Sequence, residues 1–263
     1  MQVTILGSGS SGNAMLVSSG HTRLLIDAGF SKRETLRRLA ATGEPADSVQ
    51  AILISHEHAD HVQGLLALAQ EWNARVYLTP GAREALGWAE ALPRVETFRS
   101  GERFPIGDIE VTSFLTPHDA AEPVGFTFQA EGLKTALVTD IGFITELIKQ
   151  QIRGADCLII ESNHDLEMLR HGPYPWFVKQ RVLSRLGHLS NLELGRFLEE
   201  DYDGVARYLI LAHISENNNH PEIARMNAAE AVARRQARFP LSLPHSAELL
   251  LTSQRTPLGP IRL

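Results

Sequence analysis

Short apolar runs of strand length recur along the chain, and they constrain its fold more than any other feature. Three of them lie within residues 2–28, separated by Gly and Ser, and residues 95–140 have strand-like patterning nearly throughout. After residue 140 such runs alternate with helical patterns, the last of which is a basic, Ala-rich stretch over Pro221–Arg238. Strands on both sides of interposed helices predict one α/β domain over residues 1–263, with two sheets covered by helices.

The composition argues against several classes of protein. No apolar run approaches the roughly 18 residues of a membrane-spanning helix, and Met1–Gly7 lack the basic head and apolar core of a signal peptide. One cysteine among 263 residues cannot form an internal disulfide or a cysteine-rich zinc site. We therefore expect a cytoplasmic protein with no membrane association. The net charge of −6 argues against a wholly basic surface that coats nucleic acid.

The Gly-rich segment Gly7–Gly12 has the spacing of a dinucleotide-binding fingerprint, and Asp27 lies 20 residues after Gly7. That fingerprint functions only where its third glycine opens a helix that holds the pyrophosphate. Here an apolar run over residues 15–17 follows, and after it a Ser-Gly turn and another strand-like run. The pattern predicts a tight glycine turn between two strands rather than a cofactor site.

Three histidines and one aspartate are concentrated in six residues directly after the predicted strand Ala51–Ile54. His56 and His58 are two residues apart, so their side chains point the same way in an extended chain. Asp60 and His61 lie where a helical pattern begins that continues to residue 72, and there the chain changes direction. The two pairs can therefore face neighbouring points, which suits two metal ions. Imidazole and carboxylate ligands without thiolate favour zinc, manganese or iron. The alternative is a polar loop that caps the helix.

Three further candidates occur in the same context, a polar side chain directly after an apolar run. They are His118, Asp140 and His213. Each alone could be an ordinary loop residue. Their recurrence at predicted strand ends, together with residues 56–61, predicts that they complete a metal site.

The order of these motifs resembles that of the metallo-β-lactamase superfamily, and most closely its small nuclease-like branch of YycJ and WalJ proteins. The resemblance runs from about residue 2 to 225 and is carried by five further segments: Gly9–Asn13, Pro117–Gly125, Glu161–Asp165, Gly187–Asn191 and His213–Asn218. It implies an α/β metallo-β-lactamase αββα sandwich of two mixed sheets flanked by helices. It also implies a metal-dependent phosphodiesterase, a DNA exonuclease that uses a metal-bridging hydroxide.

The resemblance implies two divalent metal ions, zinc or manganese, held by histidines and aspartates. The ligands of one ion would be His56, His58 and His118, and those of the other Asp60, His61 and His213. Asp140 would bridge the two ions. Asp27 would orient the site by accepting a hydrogen bond from a ligand or a loop amide, and its alternative role is that of a simple turn residue.

The implied chemistry assigns further roles. Two cations roughly 3.5–4 Å apart would lower the pKa of a bridging water and orient it, and Asp60 could accept a hydrogen bond from the attacking hydroxide. His188 is the candidate acid for the leaving alkoxide, because its segment resembles the Gly-His-Ser segment of related tRNA-processing nucleases. It could instead cap the helix that begins near Asn191. Asn163 and His164 could bind the non-bridging phosphate oxygens or belong to a structural polar loop.

The substrate is less constrained. Between Ser162 and Ser190 lie four bases and two acids, and helical spacing is expected over residues 177–186. The segment between Ser162 and Ser190 also contains three aromatic residues, Tyr174, Trp176 and Phe177, which could stack on a terminal base or pack onto the domain. We expect nucleic acid as substrate, DNA rather than RNA. The alternatives are a hydrolase of small cyclic or linear phosphodiesters, a thioester or lactam hydrolase, and a metal-bound protein without turnover.

Overall fold

The structure is a computed structural model, and it describes residues 1–47, 49–239 and 247–263. The chain divides into two compact units. The first comprises Met1–Leu115, Ala120–Leu133 and Thr252–Leu263, and the second comprises Thr116–Asp119 and Lys134–Leu251. The predicted single domain over residues 1–263 stays a prediction.

The described residues contain fourteen strands and nine α-helices. The strands are β1 (Gln2–Gly7), β2 (Ala14–Ser18), β3 (Arg23–Ile26), β4 (Ala51–Leu53), β5 (Arg75–Leu78), β6 (Val95–Thr97), β7 (Arg103–Ile106), β8 (Ile109–Leu115), β9 (Val124–Ala130), β10 (Leu133–Val138), β11 (Cys157–Glu161), β12 (Tyr208–Ala212), β13 (Glu248–Leu251) and β14 (Leu258–Arg262). The helices are α1 (Lys32–Ala41), α2 (Ala59–Val62), α3 (Leu65–Trp72), α4 (Pro80–Leu86), α5 (Glu146–Ile152), α6 (Leu166–His171), α7 (Trp176–Val182), α8 (Asn191–Glu200) and α9 (Pro221–Arg238).

The first unit contains a mixed sheet of seven strands in the order β14-β1-β2-β3-β4-β5-β6. Strands β14, β1, β2 and β3 pair antiparallel, whereas β3, β4, β5 and β6 run parallel. The Gly-rich segment therefore links two antiparallel strands, and β2 rather than a helix follows it. The predicted glycine turn is confirmed.

The core of the first unit is built from this sheet and from helices α1, α3 and α4. Its buried side chains include Leu16, Leu25, Leu39, Ile52, Leu65, Leu68, Val76, Ala82 and Leu86. Burial of each large aliphatic side chain contributes roughly 1.5–3 kcal/mol. The core thereby fixes the carboxyl ends of β3 and β4, where the histidine motif begins.

The helical pattern predicted over residues 60–72 is interrupted at Gly64. The amide of Gly64 donates to the Ala28 carbonyl at 2.8 Å, and a Cβ on Gly64 would lie 2.0 Å from the Phe30 carbonyl oxygen. Only glycine permits this close approach of two backbone segments. A tertiary contact therefore divides the expected helix into α2 and α3.

Strands β7, β8 and β9 form an antiparallel meander in the first unit, as the extended patterning predicts. In the second unit, β10, β11, β12 and β13 run parallel to one another. Strands β11 and β12 are almost entirely buried, which matches the near-continuous apolar runs expected of parallel strands covered on both faces.

Helices α8 and α9 pack against each other in the second unit. Helix α8 buries Leu194, Phe197 and Leu198, whereas α9 buries a stripe of alanines at helical spacing, Ala224, Ala228 and Ala231. The small side chains permit a close approach of the two helix axes. Helix α9 has the bounds that the sequence predicts, Pro221–Arg238.

The chain is thus an α/β protein with two mixed sheets flanked by helices, as predicted. Helices α4 and α6 and strand β14 have no counterpart among the predicted elements, and the helix expected near 177–186 already ends at Val182. Among the residues that the structure describes, no helix combines the length and the apolar character needed to cross a membrane.

Candidate metal centre

The candidate ligands lie directly after the carboxyl ends of strands. In the first unit, Asp27 follows β3 and His56 comes three residues after β4. In the second unit, Asp140 lies two residues beyond β10, and His213 directly follows β12. Because β3 and β4 are parallel neighbours, as are β10, β11 and β12, their carboxyl ends meet at one sheet edge within each unit.

The first unit brings its three motif histidines together. The ring centroid of His56 lies 4.6 Å from that of His58 and 4.0 Å from that of His61. His56 and His61 are buried, whereas His58 is exposed only in part. The Asp60 carboxylate is half-buried and lies 3.6 Å from Nε2 of His61. These four residues form a compact group of imidazole and carboxylate donors.

Asp27 links this group to Ser55, which lies just after β4. Its Oδ1 accepts a hydrogen bond from the Ser55 amide at 2.8 Å. Its Oδ2 accepts from the Ser55 hydroxyl at 2.9 Å and from Nδ1 of His61 at 2.8 Å. A turn residue would make no such contacts, so the structure favours the orienting role of Asp27 over its alternative.

Asn13 is a further residue of the group that the sequence analysis did not single out. It is buried, and its amide nitrogen lies 3.1 Å from Oδ2 of Asp60 and 3.0 Å from Nε2 of His61. Its Oδ1 accepts from the amide of Gly9 at 2.9 Å. The glycine turn predicted between β1 and β2 thus positions the side-chain amide of Asn13 next to two candidate ligands, Asp60 and His61.

The second unit is organised around Glu161, which the sequence analysis also did not single out. Its Oε1 accepts from Nδ1 of both His188 and His213, each at 2.8 Å. Its Oε2 accepts from the amides of Ile141 at 2.9 Å and Leu189 at 3.2 Å. This fully buried carboxylate therefore fixes two candidate histidines and the two loops that carry Asp140 and His188.

Asp140, Glu161, His188 and His213 each offer a donor atom, and these atoms lie within 4.8 Å of one another. Nδ1 of His213 lies 3.1 Å from Oδ1 of Asp140. His118 belongs to the same unit, and its Nε2 lies 3.9 Å from Oδ1 of Asp140. The second unit thus brings together three predicted ligands, His118, Asp140 and His213, with the predicted acid His188.

Four candidate ligands share one hydrogen-bonding pattern, in which Nδ1 faces an oxygen of the protein. Nδ1 lies 3.0 Å from the Ser55 hydroxyl for His56, 2.8 Å from Asp27 for His61, 3.2 Å from the Gly187 carbonyl for His118 and 2.8 Å from Glu161 for His213. Such partners fix the tautomer and leave Nε2 as the ligand atom. The donor set fits a divalent metal ion.

The charges of the second unit also favour a cation. Burial opposes ionisation of Glu161, but the charges and hydrogen bonds of His188 and His213 hold its pKa well below its usual range. Burial lowers the pKa of His213, but Asp140 and Glu161 outweigh it and raise that pKa well above its usual value. A metal ion that replaces the His213 proton would occupy the same negative potential.

Three of the candidate residues have a left-handed backbone. The φ angles are 58° for Asp27, 58° for Asp140 and 54° for His213. Only two other non-glycine residues of the described chain, Asn73 and Glu131, have positive φ. This conformation costs about 1–3 kcal/mol and persists where surrounding structure enforces it, commonly at functional sites.

Asn163 and His164, the predicted phosphate contacts, lie in the second unit and are buried. The Asn163 amide donates to the His213 carbonyl at 2.8 Å. Burial lowers the pKa of His164 to about 4, so its ring is neutral at pH 7. Neither ring nitrogen of His164 has a hydrogen-bond partner among the residues that the structure describes, and such buried groups are uncommon in folded proteins.

A cleft of about 610 Å³ opens beside Asp60 in the first unit. Its walls include Ser10 and Ser11 of the glycine turn, Gln63, and the partly exposed Trp88. A volume of this size is typical of small-molecule pockets. A candidate ligand therefore borders a space large enough for part of a substrate.

Comparison with known proteins places these observations in a family. A family model described as the beta-lactamase superfamily domain matches residues 22–214. The exodeoxyribonuclease YycJ of Bacillus anthracis is 37% identical over 235 residues, which cover 88% of this chain and 89% of that protein. The exodeoxyribonuclease WalJ of Streptococcus pneumoniae is 34% identical over 236 residues, 88% of each chain.

The fold has solved counterparts as well. The crystal structure of the metallo-β-lactamase fold protein YhfI from Bacillus subtilis matches with a TM-score of 0.73 and 19% identity, over 98% of this chain and 99% of that one. The predicted metallo-β-lactamase fold is confirmed. The chain belongs to the beta-lactamase superfamily, and within it to the family of the YycJ and WalJ proteins.

Proposed function

We propose that this chain is a metal-dependent phosphodiesterase that removes nucleotides from an end of DNA. The observation that carries the proposal is the Glu161 carboxylate, which holds both a candidate ligand, His213, and a candidate acid, His188. The names of the two relatives, both exodeoxyribonucleases, agree with this function. The chain is accordingly a hydrolase, as the sequence predicts.

The proposed ligands of two divalent ions, zinc or manganese, are the seven predicted residues. They are His56, His58, Asp60, His61, His118, Asp140 and His213. The support is the shared orientation of four imidazoles through Nδ1 and the buried carboxylate of Asp140. When bound, such cations make water more acidic and offset the charge of a phosphodiester.

The roles of Asp60 and His188 follow from their contacts. The Asn13 amide holds Asp60, so its carboxylate could accept a hydrogen bond from the attacking hydroxide and orient it. His188 is oriented by the hydrogen bond between its Nδ1 and Glu161, and in its imidazolium form it can donate the Nε2 proton to the leaving oxygen as the P–O bond breaks. The oxygen of the nucleophile forms a new P–O bond, the P–O bond to the leaving group breaks, and the departing alkoxide takes the His188 proton and becomes a hydroxyl group.

His164 and Asn163 are the proposed contacts of the non-bridging phosphate oxygens. A neutral His164 has one N–H, and donation of that hydrogen to a phosphate oxygen would satisfy a buried group. Asn163 already uses one amide hydrogen on His213, so only its second N–H is available.

The test compares substrates directly. We would strip the protein of metal, add zinc or manganese, and supply single- and double-stranded DNA and RNA ladders beside bis-(p-nitrophenyl) phosphate. Progressive shortening of DNA from an end supports the proposal. Turnover of the small ester alone, with no strand shortened, would replace it by a hydrolase of small phosphodiesters.

Two variants test the assignments within that assay. Asp140→Asn is expected to lower metal content and turnover together, and two full sites in an active variant would contradict the bridging role. His188→Ala is expected to slow cleavage by about 10²–10⁴-fold. A rate unchanged by that substitution would favour a thioester or lactam hydrolase. Cytoplasmic location and the absence of membrane association stay predictions from the composition.

A further inference from the structure

The segment 166–187 of the second unit, which we call the arm, exposes an unusual number of large apolar side chains. It contains α6, α7 and the loop that follows. Trp176 is 68% exposed and Phe177 is 71% exposed, and Leu183 and Leu186 are exposed by 43% and 50%. No residue of α7 is buried. Exposed apolar side chains grouped in this way are typical of a binding surface.

The arm is also basic in an acidic protein. It contains four bases, Arg170, Lys179, Arg181 and Arg185, and one acid, Glu167. Arg170 pairs with Glu167 at 2.7 Å, and Lys179 donates to the Arg170 carbonyl at 2.7 Å. The net charge of the whole chain is −6, so the arm concentrates positive charge where the aromatic rings lie.

The arm is held in place rather than loosely attached. The hydroxyl of Tyr174 accepts from the Asn217 amide at 3.2 Å, and the guanidinium of Arg185 lies 4.0 Å over the ring of Phe143. A Cβ on Gly142 would lie 2.2 Å from the Arg185 carbonyl oxygen, so the backbones pack directly. These contacts fix the arm while Trp176 and Phe177 face solvent.

The arm ends at the candidate centre. The Gly187 carbonyl, its last residue, accepts from Nδ1 of His118 at 3.2 Å. The amide of His188 donates to the Val182 carbonyl at 3.0 Å. Arg181 forms an ion pair with Asp119, the neighbour of His118. A ligand on the arm would therefore be continuous with the residues proposed for the phosphodiester chemistry.

We infer that the arm binds the single-stranded part of a nucleic acid substrate, with bases stacked on Trp176 and Phe177 and phosphates near Lys179 and Arg170. The inference rests on the proposed phosphodiesterase function and names how that site would hold its substrate. Aromatic platforms beside basic side chains are the features that bind single strands without sequence preference.

A second copy of this chain fits the arm less well. In a two-fold dimer the same patch would face itself, so the four bases of one arm would meet the four bases of the other. Like charges brought together in this way repel. A polyanion provides the complementary charge, and its bases provide the aromatic surface.

The test measures binding without turnover. Fluorescence anisotropy of a labelled DNA duplex with a single-stranded end, recorded in chelator, gives a dissociation constant for the full chain. Trp176→Ala combined with Phe177→Ala should weaken binding by at least about 10-fold. Trp176→Phe combined with Phe177→Tyr keeps both ring faces and should retain most of the affinity. Met226→Ala, at a side chain that is 54% exposed on α9, is the matched control.

Salt dependence provides a second measurement. Lys179→Gln should lower the slope of log Kd against log salt concentration by about 0.7, the value for one phosphate of a single strand. Equal affinity of the alanine variant and the wild type, with both folded by circular dichroism, would overturn the inference. A wild-type dimer that the alanine variant dissociates in sedimentation would also overturn it, in favour of a second copy.

The outcomes separate this inference from the proposed activity. If the alanine variant binds weakly but the wild type cleaves no phosphodiester, the arm binds nucleic acid and the proposed activity is wrong. If the wild type shortens DNA and the alanine variant binds it equally well, only the role of the arm is wrong.

Discussion

At the scale of single residues, the Asp27 carboxylate has two structural roles, one for each oxygen. Oδ1 holds the Ser55 amide and Oδ2 holds Nδ1 of His61. In Asp27→Asn an amide group would replace one acceptor, and the ring of His61 would lose its orienting partner. We expect metal affinity to fall by about 10–100-fold, measured by calorimetric titration of stripped protein.

The control for Asp27→Asn is Asp201→Asn. The Asp201 carboxylate is partly exposed and pairs with Lys149 at 2.8 Å, so its loss should leave metal affinity unchanged. Equal metal affinity in the Asp27 variant and the wild type would show that this carboxylate does not orient a ligand.

Glu161 is predicted to act on catalysis through His188, because it holds Nδ1 of that ring. Glu161→Gln and His188→Asn should each lower kcat at saturating metal, and the double variant should be nearly as active as the slower single one. Residues that act as a unit show such non-additive effects. The measurement is a double-mutant cycle on DNA cleavage. Effects that multiply would show that the two side chains act independently.

Sequence reasoning identified the ligand candidates because each follows an apolar run. Glu161 carries the same signal, because it directly follows the apolar run Cys157–Ile160, but its role as the partner of two histidines does not show in the local pattern. Its partners His188 and His213 lie 27 and 52 residues away in the chain. The role of Asn13 was not predicted for the same reason, because it depends on contacts with residues 47 and 48 positions later in the chain.

At the scale of secondary-structure elements, β11 buries the single cysteine. Burial raises the pKa of the Cys157 thiol to about 12, so at pH 8 only about one thiol in 10⁴ is ionised. Because the thiolate is the reactive form, native protein should resist labelling by Ellman's reagent, and guanidinium-unfolded protein should react with one equivalent per chain. Met226→Cys supplies an exposed thiol as positive control, and rapid native labelling of Cys157 would contradict its burial.

The contact of α8 with α9 depends on small side chains. Ala228 is buried in this contact, whereas its neighbour Ala229 is exposed. Ala228→Leu should lower the free energy of unfolding by about 1–3 kcal/mol through overpacking, measured by urea denaturation. Ala229→Leu adds the same atoms to the exposed face of α9 and should have little effect. Similar stabilities of the two variants would show that this helix contact is loosely packed.

Elements with a strong local pattern were predictable, and elements shaped by distant contacts were not. The buried strands β11 and β12 and the long helix α9 have clear sequence patterns. The division between α2 and α3 at Gly64 depends on the backbone of residues 28–30, which no local pattern contains. The sequence also did not predict whether the aromatic residues of α7 would pack onto the domain or face solvent.

At the scale of the whole molecule, metal removal is predicted to lower stability. A ligand that binds only the folded chain stabilises it by about 2.7 kcal/mol per site at 100 times its Kd. Loss of two such ions should therefore lower the thermal midpoint by roughly 10–20 °C, and added zinc or manganese should restore it. Scanning calorimetry of metal-loaded and stripped protein measures the change.

Two histidine variants provide the comparison for that measurement. His118→Ala removes a proposed ligand and should reduce the metal-dependent shift, whereas His171→Ala removes an exposed ring and should leave the shift intact. A metal-dependent shift of equal size in both variants would argue against His118 as a ligand.

The charge of the whole molecule also bears on its substrate. The net charge of −6 would become −2 with two divalent ions bound, since these add four positive charges. The remaining attraction for a polyanion must then be local. The arm concentrates basic side chains, and the candidate ligand groups would gain positive charge by binding metal ions. These two regions are where a polyanion would be attracted.

The Nδ1 contacts of the four histidines have a consequence for metal binding. Each ring is oriented by the protein itself, through Ser55, Asp27, Gly187 or Glu161, and not by the ion it would bind. These contacts restrict the rotation of the four rings, so less side-chain entropy is lost when an ion binds.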